Sequence, residues 1–93
     1  MNAQDLTLNI AVNLGRLSRW VSGKKLNRVP MFLEETAVYL DKLERMSKAK
    51  KFRPTFEKFK ERFEWLKKNS FDENWADEAL TWANILTHRA KLA

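Results

Sequence analysis

The chain has 93 residues, a formal charge of +6 at pH 7 and no cysteine, and 44% of its residues are hydrophobic. This length fits one small domain, and the apolar fraction is too high for a disordered chain. Without cysteine, disulfides and cysteine-ligated zinc sites are excluded. The longest uncharged run, residues 6–15, is too short to span a bilayer. The N-terminus lacks the basic stretch of a secretory signal, so we expect a cytoplasmic protein with no membrane segment.

Residues 3–22 are predicted to form the first helix, which has two apolar stripes. The main stripe holds Leu6, Ile10, Leu14, Leu17 and Val21. The second stripe holds Leu8, Ala11, Val12 and Gly15. A helix that is apolar on two sides is either central in its fold or binds another chain. We favour the central position, and the second stripe is the candidate dimer face if the rest of the chain leaves it uncovered.

The second helix is predicted over residues 30–49, after a basic connection at 23–29. Pro30 suits the first helical position, where its missing N–H is harmless. The expected buried face consists of Phe32, Leu33, Thr36, Ala37, Tyr39, Leu40, Leu43 and Met46. Asp41–Arg45 and Glu44–Lys48 have the spacing of exposed ion pairs along one helix.

The third helix is predicted over residues 54–69, with Pro54 at its start. Its apolar residues are spaced four, three, four and three apart, which predicts a buried seam along one side. This phenylalanine seam is Phe52, Phe56, Phe59, Phe63 and Leu66. Trp65 lies off the seam. Its ring either covers the stems of neighbouring Lys and Arg side chains or serves as a candidate partner anchor, since tryptophan is enriched in binding hot spots.

The fourth helix is predicted over residues 71–91. Ser70 and Glu73 have the spacing of a capping box, with Ser70 as the cap. The apolar face combines large residues with alanines: Trp75, Ala76, Ala79, Leu80, Trp82, Ala83, Leu86 and Ala90. Four helices with short connections favour antiparallel neighbours. We therefore predict an all-α fold, an antiparallel four-helix bundle in up-down-up-down order that forms a single domain over residues 1–93.

The positive charge is concentrated in one part of the sequence. Residues 42–68 hold eleven Lys or Arg and four Glu. The predicted order of helices brings the second connection and the end of the chain to the same end of the bundle. The candidate anion or nucleic-acid patch there consists of Lys48, Lys50, Lys51, Arg53, Arg89 and Lys91. A patch of this kind favours anionic partners, nucleic acid first.

The sequence offers little for catalysis. His88 is the one histidine, near the C-terminus among basic residues, and there are two glycines, too few for a loop that cradles phosphate. Nucleophilic catalysis needs an activated Ser, Cys or Thr beside a base, and a metal site in a helix bundle needs Glu and His on facing helices. We expect a protein that is not an enzyme and that binds no cofactor or metal.

Three hypotheses of function follow. The first is a non-catalytic protein–protein interaction or regulatory accessory module whose partner is another protein or a second copy of the chain. The alternative is a nucleic-acid-binding protein that uses the basic segment 42–53 for phosphate contacts. An enzyme comes last. The first is preferred because helix bundles are common binding scaffolds and no motif that reads or stacks on bases is present.

Overall fold

The computed structural model describes residues 1–93 and contains four α-helices and no strand. The helices are α1 (Ala3–Ser22), α2 (Val29–Glu44), α3 (Arg53–Lys68) and α4 (Glu73–Arg89). A 3₁₀ turn at Leu26–Arg28 leads into α2, and another at Ala90–Leu92 follows α4. The all-α four-helix prediction is confirmed. None of the helices combines the length and the apolar character that crossing a membrane requires.

Helix α1 is central, because its backbone lies close to both α2 and α4. The contact with α4 is built on small residues. Ala11 of α1 is buried, as are Ala76, Ala79 and Ala83 of α4. The hydroxyl of Ser18 donates to the carbonyl of Ala76 at 2.8 Å, a bond that requires close approach of the two helices. Small side chains on both helices therefore permit this packing.

Two contacts join the end of one helix to the start of another, as in an antiparallel arrangement. Ser22, at the end of α1, contacts Glu73 at the start of α4. Arg89, at the end of α4, donates to the hydroxyl of Thr55 at the start of α3. The complete up-down-up-down order stays a prediction, and these contacts agree with it.

The core lies between the main stripe of α1, the phenylalanine seam and α4. Every residue of the main stripe and of the seam is buried. The Phe59 ring lies 5.7 Å from that of Phe63 and 5.5 Å from that of Trp82, centroid to centroid. The indole N–H of Trp75 donates to the carbonyl of Leu66 at 2.7 Å, which satisfies a fully buried polar group and fastens α4 to the end of α3. Spacing thus identified the core side of α1 and α3 correctly.

Helix α2 ends at Glu44, five residues before the predicted end at residue 49. The expected Glu44–Lys48 ion pair does not form. The ammonium of Lys48 turns back and donates to the backbone carbonyls of Leu43 (2.8 Å), Glu44 (3.1 Å) and Met46 (2.7 Å). Carbonyls at a helix C-terminus lack partners within the helix, so a lysine just past the end can satisfy them.

Helix α4 begins at Glu73, and its cap is Asp72 rather than the predicted Ser70. Asp72 has an extended backbone, and its carboxylate accepts a hydrogen bond from the backbone N–H of Trp75 at 3.0 Å. Asp and Ser are both good caps, so the sequence offered two choices two residues apart. The position of Trp75, fixed by its bond to Leu66, suits a cap at Asp72.

Candidate functional site

The apolar face of α2 is only partly covered, contrary to the prediction that it is buried. Of the eight residues assigned to that face, Thr36 and Leu43 are buried. The others are half-buried: Phe32, Leu33, Ala37, Tyr39, Leu40 and Met46. Backbone packing explains the difference, since α2 lies close to α1 but makes no comparably close approach to α3.

A groove consequently runs along the boundary between α2 and α3. It consists of two depressions of about 390 and 270 Å³ that share Ala37 and Lys67 among their lining residues. We call this the α2/α3 groove. Its apolar lining is Pro30, Leu33, Ala37, Leu40, Phe63 and Phe71. From residue 33 to residue 44, α2 follows the groove for about 16 Å, or three helical turns.

The rim of the α2/α3 groove is acidic, although the protein as a whole is basic. The charged lining residues are Glu34, Asp41, Glu44, Glu61, Glu64, Lys60 and Lys67. Five carboxylates and two ammonium groups give this rim a formal charge of −3, against +6 for the chain. Glu34 and Glu61 are exposed and form no ion pair within the chain. The residues that line the groove thus carry a net negative formal charge, unlike the chain as a whole.

Both rim lysines lie beside phenylalanine rings. Lys60 pairs with Glu44 across the groove, and that hydrogen bond raises the pKa of the Lys60 ammonium. Lys67 pairs with Glu64 at 2.9 Å and lies 5.7 Å from the centroid of the Phe63 ring. The hydrogen bond from Lys67 is the main cause of the lowered pKa of Glu64. Lys67 thus covers part of the apolar floor and occupies one rim carboxylate.

Trp65 lies on the other flank of α3, half-buried against the core. The guanidinium of Arg62 lies over its ring at 5.1 Å, a cation–π contact of the kind expected in one of the two interpretations of Trp65. Arg62 also donates to Glu78 of α4 at 2.7 Å, and Glu78 accepts a second bond from the indole of Trp82 at 2.9 Å. The Arg62 bond is the main cause of the lowered pKa of Glu78 and the raised pKa of Arg62. A partner that binds Trp65 meets a ring already covered on one side.

The candidate anion patch is not uniform. The three donors of the Lys48 ammonium are directed at three carbonyls, and the group lies 4.5 Å from the centroid of the Phe56 ring. Arg89 donates to Thr55 at 3.3 Å, which brings it to the start of α3 near Arg53. The members that are exposed and without an ion pair or hydrogen bond are Lys50, Lys51, Arg53 and Lys91.

The candidate dimer face is divided by the packing of α1. Ala11 is buried, whereas Leu8 and Val12 are exposed. A methyl group added at Gly15 would meet only the Arg19 guanidinium, at 3.9 Å, so no other helix of this chain packs closely on Gly15. Ala11 thus packs inside the fold, whereas Gly15 lies beside the exposed side chains of Leu8 and Val12 and is not covered by another helix.

His88 is exposed in the last turn of α4. No group of three or more His, Asp or Glu side chains is arranged to hold a metal ion. Comparison of the chain with known protein families, with curated proteins and with solved structures gives no match. Any functional conclusion therefore depends on the geometry of this chain alone.

The α2/α3 groove was missed by sequence reasoning. The spacing predicts that Leu33, Ala37 and Leu40 are buried, and no sequence pattern indicates a site at Glu61 or Glu64. Helical periodicity shows which side of a helix is apolar but not whether a neighbour covers that side. Phe71, an aromatic residue in the connection before α4, was the one available signal, and it is 36% exposed at one end of the groove.

Proposed function

We propose that this protein is a non-catalytic protein-interaction module that binds a partner polypeptide in the α2/α3 groove. The observation that carries the proposal is the half-covered apolar face of α2, which lines an opening three helical turns long. Apolar grooves between helices are common sites for an amphipathic segment of a partner.

The shape of the groove favours a polypeptide over a small molecule. It is an elongated depression along a helix, lined by aliphatic and aromatic side chains and bordered by charges on both sides. Small-molecule sites are concave cavities that enclose most of their ligand. A helix laid lengthwise in this groove could bury side chains against Leu33, Leu40 and Phe63 while its outer face stays in water.

A peptide-display selection tests the proposal. A random library is selected on the wild-type protein, and the enriched peptides are measured on two variants of α2. Ala37→Arg places a long side chain where the two depressions meet, and we expect it to reduce affinity by about tenfold or more. Val38→Arg is the matched control, because Val38 is exposed and is not among the groove residues.

Both variants must first show the helical content and melting behaviour of the wild type. The proposal is contradicted if the selection enriches no peptide. It is contradicted equally if the enriched peptides bind the two arginine variants with the same affinity.

Nucleic acid binding is the second candidate, and the exposed cations of the second connection favour it. Lys50, Lys51 and Arg53 lie within four residues and have no acidic partner. On this alternative, duplex affinity falls with salt with a log–log slope of about −0.9 per phosphate contacted. The double substitution Lys50→Ala/Lys51→Ala should flatten that slope, while Lys48→Met should leave it unchanged because the Lys48 donors are already used. Binding that is absent at low salt rejects this alternative.

A further inference from the structure

We infer that the partner segment of the α2/α3 groove is a cationic amphipathic helix, with an apolar face flanked by Lys or Arg. This inference rests on the proposed function and specifies the chemistry of the partner. It follows from three features of the groove: its length, its floor and the sign of its rim.

The length and floor fit one face of a short helix. The groove lining offers Leu33, Ala37 and Leu40 from α2, and Phe63 from α3. The three α2 residues are spaced four and three apart, so they form one ridge. A partner helix of about three turns presents apolar side chains at i, i+3, i+4 and i+7, which match a floor of this length.

The rim determines the charge of the partner. Glu34 lies near one end of the groove, Glu61 and Glu64 lie along the α3 side, and Asp41 and Glu44 lie on the α2 side. Carboxylates on both sides of an apolar floor pair with cations that flank an apolar stripe. A helix with acidic flanks would instead place like charges beside Glu61, which forms no ion pair in the chain.

The chain itself occupies part of this rim in the free state. Lys67 pairs with Glu64 and lies beside the ring of Phe63, Lys60 pairs with Glu44, and Arg45 pairs with Asp41 at 3.1 Å. Three cations supplied by the chain thus lie where cations of a partner would bind, and Glu34 and Glu61 are the rim carboxylates that form no ion pair. The partner must displace the Lys67 ammonium to reach both Phe63 and Glu64, so Lys67 acts as an internal competitor.

The overall charge of the protein makes this inference sharply testable. At +6, the protein attracts an acidic peptide and repels a basic one by long-range electrostatics. A preference for the basic peptide therefore has to arise from the local rim and runs against the net charge.

The experiment uses two synthetic helical peptides of about four turns. They share the same apolar residues at i, i+3, i+4 and i+7 and differ only in their flanking positions, which are Lys in one and Glu in the other. Titration calorimetry with the full chain should show the lysine peptide binding about tenfold or more tightly than its glutamate twin.

Three variants complete the test. Glu61→Lys should weaken the lysine peptide by about tenfold, whereas Asp77→Lys, an equal charge change at an exposed residue of α4 outside the groove, should have a much smaller effect. Lys67→Ala should strengthen the lysine peptide several-fold, because it removes the nearer of the two cations on Glu64 and the ammonium beside the Phe63 ring. A matched Lys68→Ala should not, since Lys68 is 3.9 Å from Glu64 and does not line the groove.

The outcomes separate this inference from the proposed function. The inference of a cationic partner is overturned if the two peptides bind with equal affinity or if the glutamate twin binds more tightly. It is overturned also if Glu61→Lys leaves the affinity for the lysine peptide unchanged. If neither designed peptide binds while library-selected peptides still lose affinity in Ala37→Arg, the cationic helix is wrong and the interaction module stands. If Ala37→Arg also leaves the affinity of the selected peptides unchanged, both the cationic helix and the interaction module are wrong.

Discussion

At the scale of single residues, Lys48 shows how a charge can be misread from sequence. Its place in a run of basic residues suggested a contact with an external anion. In the structure its ammonium is held by three backbone carbonyls and by the Phe56 ring, so it ends α2 and supports the start of the second connection. Sequence spacing detects side-chain pairs, but it does not detect a side chain that folds back onto the backbone.

We therefore expect replacement of Lys48 to affect stability more than anion affinity. Lys48→Met keeps most of the aliphatic stem and removes the donors. The part-buried carbonyl of Met46 then has no partner, whereas the carbonyl of Leu43 keeps its bond from the backbone N–H of Met46. We expect a loss of about 1–3 kcal/mol in the free energy of unfolding, measured by urea denaturation. Lys50→Met is the control, and as an exposed residue without partners it should change stability by about 0.5 kcal/mol or less. Equal effects of the two substitutions would show that the cap contributes nothing.

Glu78 is a second residue whose role depends on contacts that the sequence does not reveal. It accepts bonds from Arg62 and Trp82 and so connects α3 to α4. Because these bonds lower its pKa in the folded state, its contribution to stability is present above the ordinary range of a glutamate. That contribution is lost as the pH falls through the lowered pKa. Acid should therefore weaken the α3–α4 contact before it affects the apolar core.

At the scale of elements, the sequence predicts the buried face of a helix correctly where neighbouring helices cover that face completely. It overestimates burial where the face is only partly covered. For α3, the Phe spacing identified a buried seam correctly, because the whole apolar side of that helix enters the core. For α2, the same reasoning predicted burial of Leu33 and Leu40, which are only half covered. Periodicity describes one helix, whereas coverage depends on how far apart two helices lie, and the backbones of α2 and α3 make no close approach.

Helix α1 is the second helix with apolar residues that no other part of the chain covers. Leu8 and Val12 are exposed, and a methyl group added at Gly15 would contact only the Arg19 guanidinium, at 3.9 Å. Glycine within a helix costs about 0.5–1 kcal/mol relative to alanine, and nothing in the chain requires it at this position. Self-association through this face stays a prediction, which sedimentation at several concentrations would check.

At the scale of the whole molecule, the charge layout separates the candidate surfaces. Exposed cations collect around Lys50, Lys51 and Arg53, whereas the α2/α3 groove carries a net negative rim. The apolar face of α1 is a third surface, with Asp5 and Arg19 exposed along it. Each surface would accept a different partner: phosphates, a cationic amphipathic helix, or a second copy of the chain. Composition alone could not distinguish them, because it reports only the total of +6.

The most direct test of the interaction module is to locate where a bound peptide lies. The measurement is the change in backbone amide chemical shifts when the tightest library-selected peptide is added to the isotope-labelled chain. We predict that the largest changes fall on both walls of the groove, at residues 33–44 of α2 and 60–67 of α3. Changes concentrated at residues 48–53, or at Leu8 and Val12 on the outer face of α1, would contradict the account and assign binding to one of the other two surfaces.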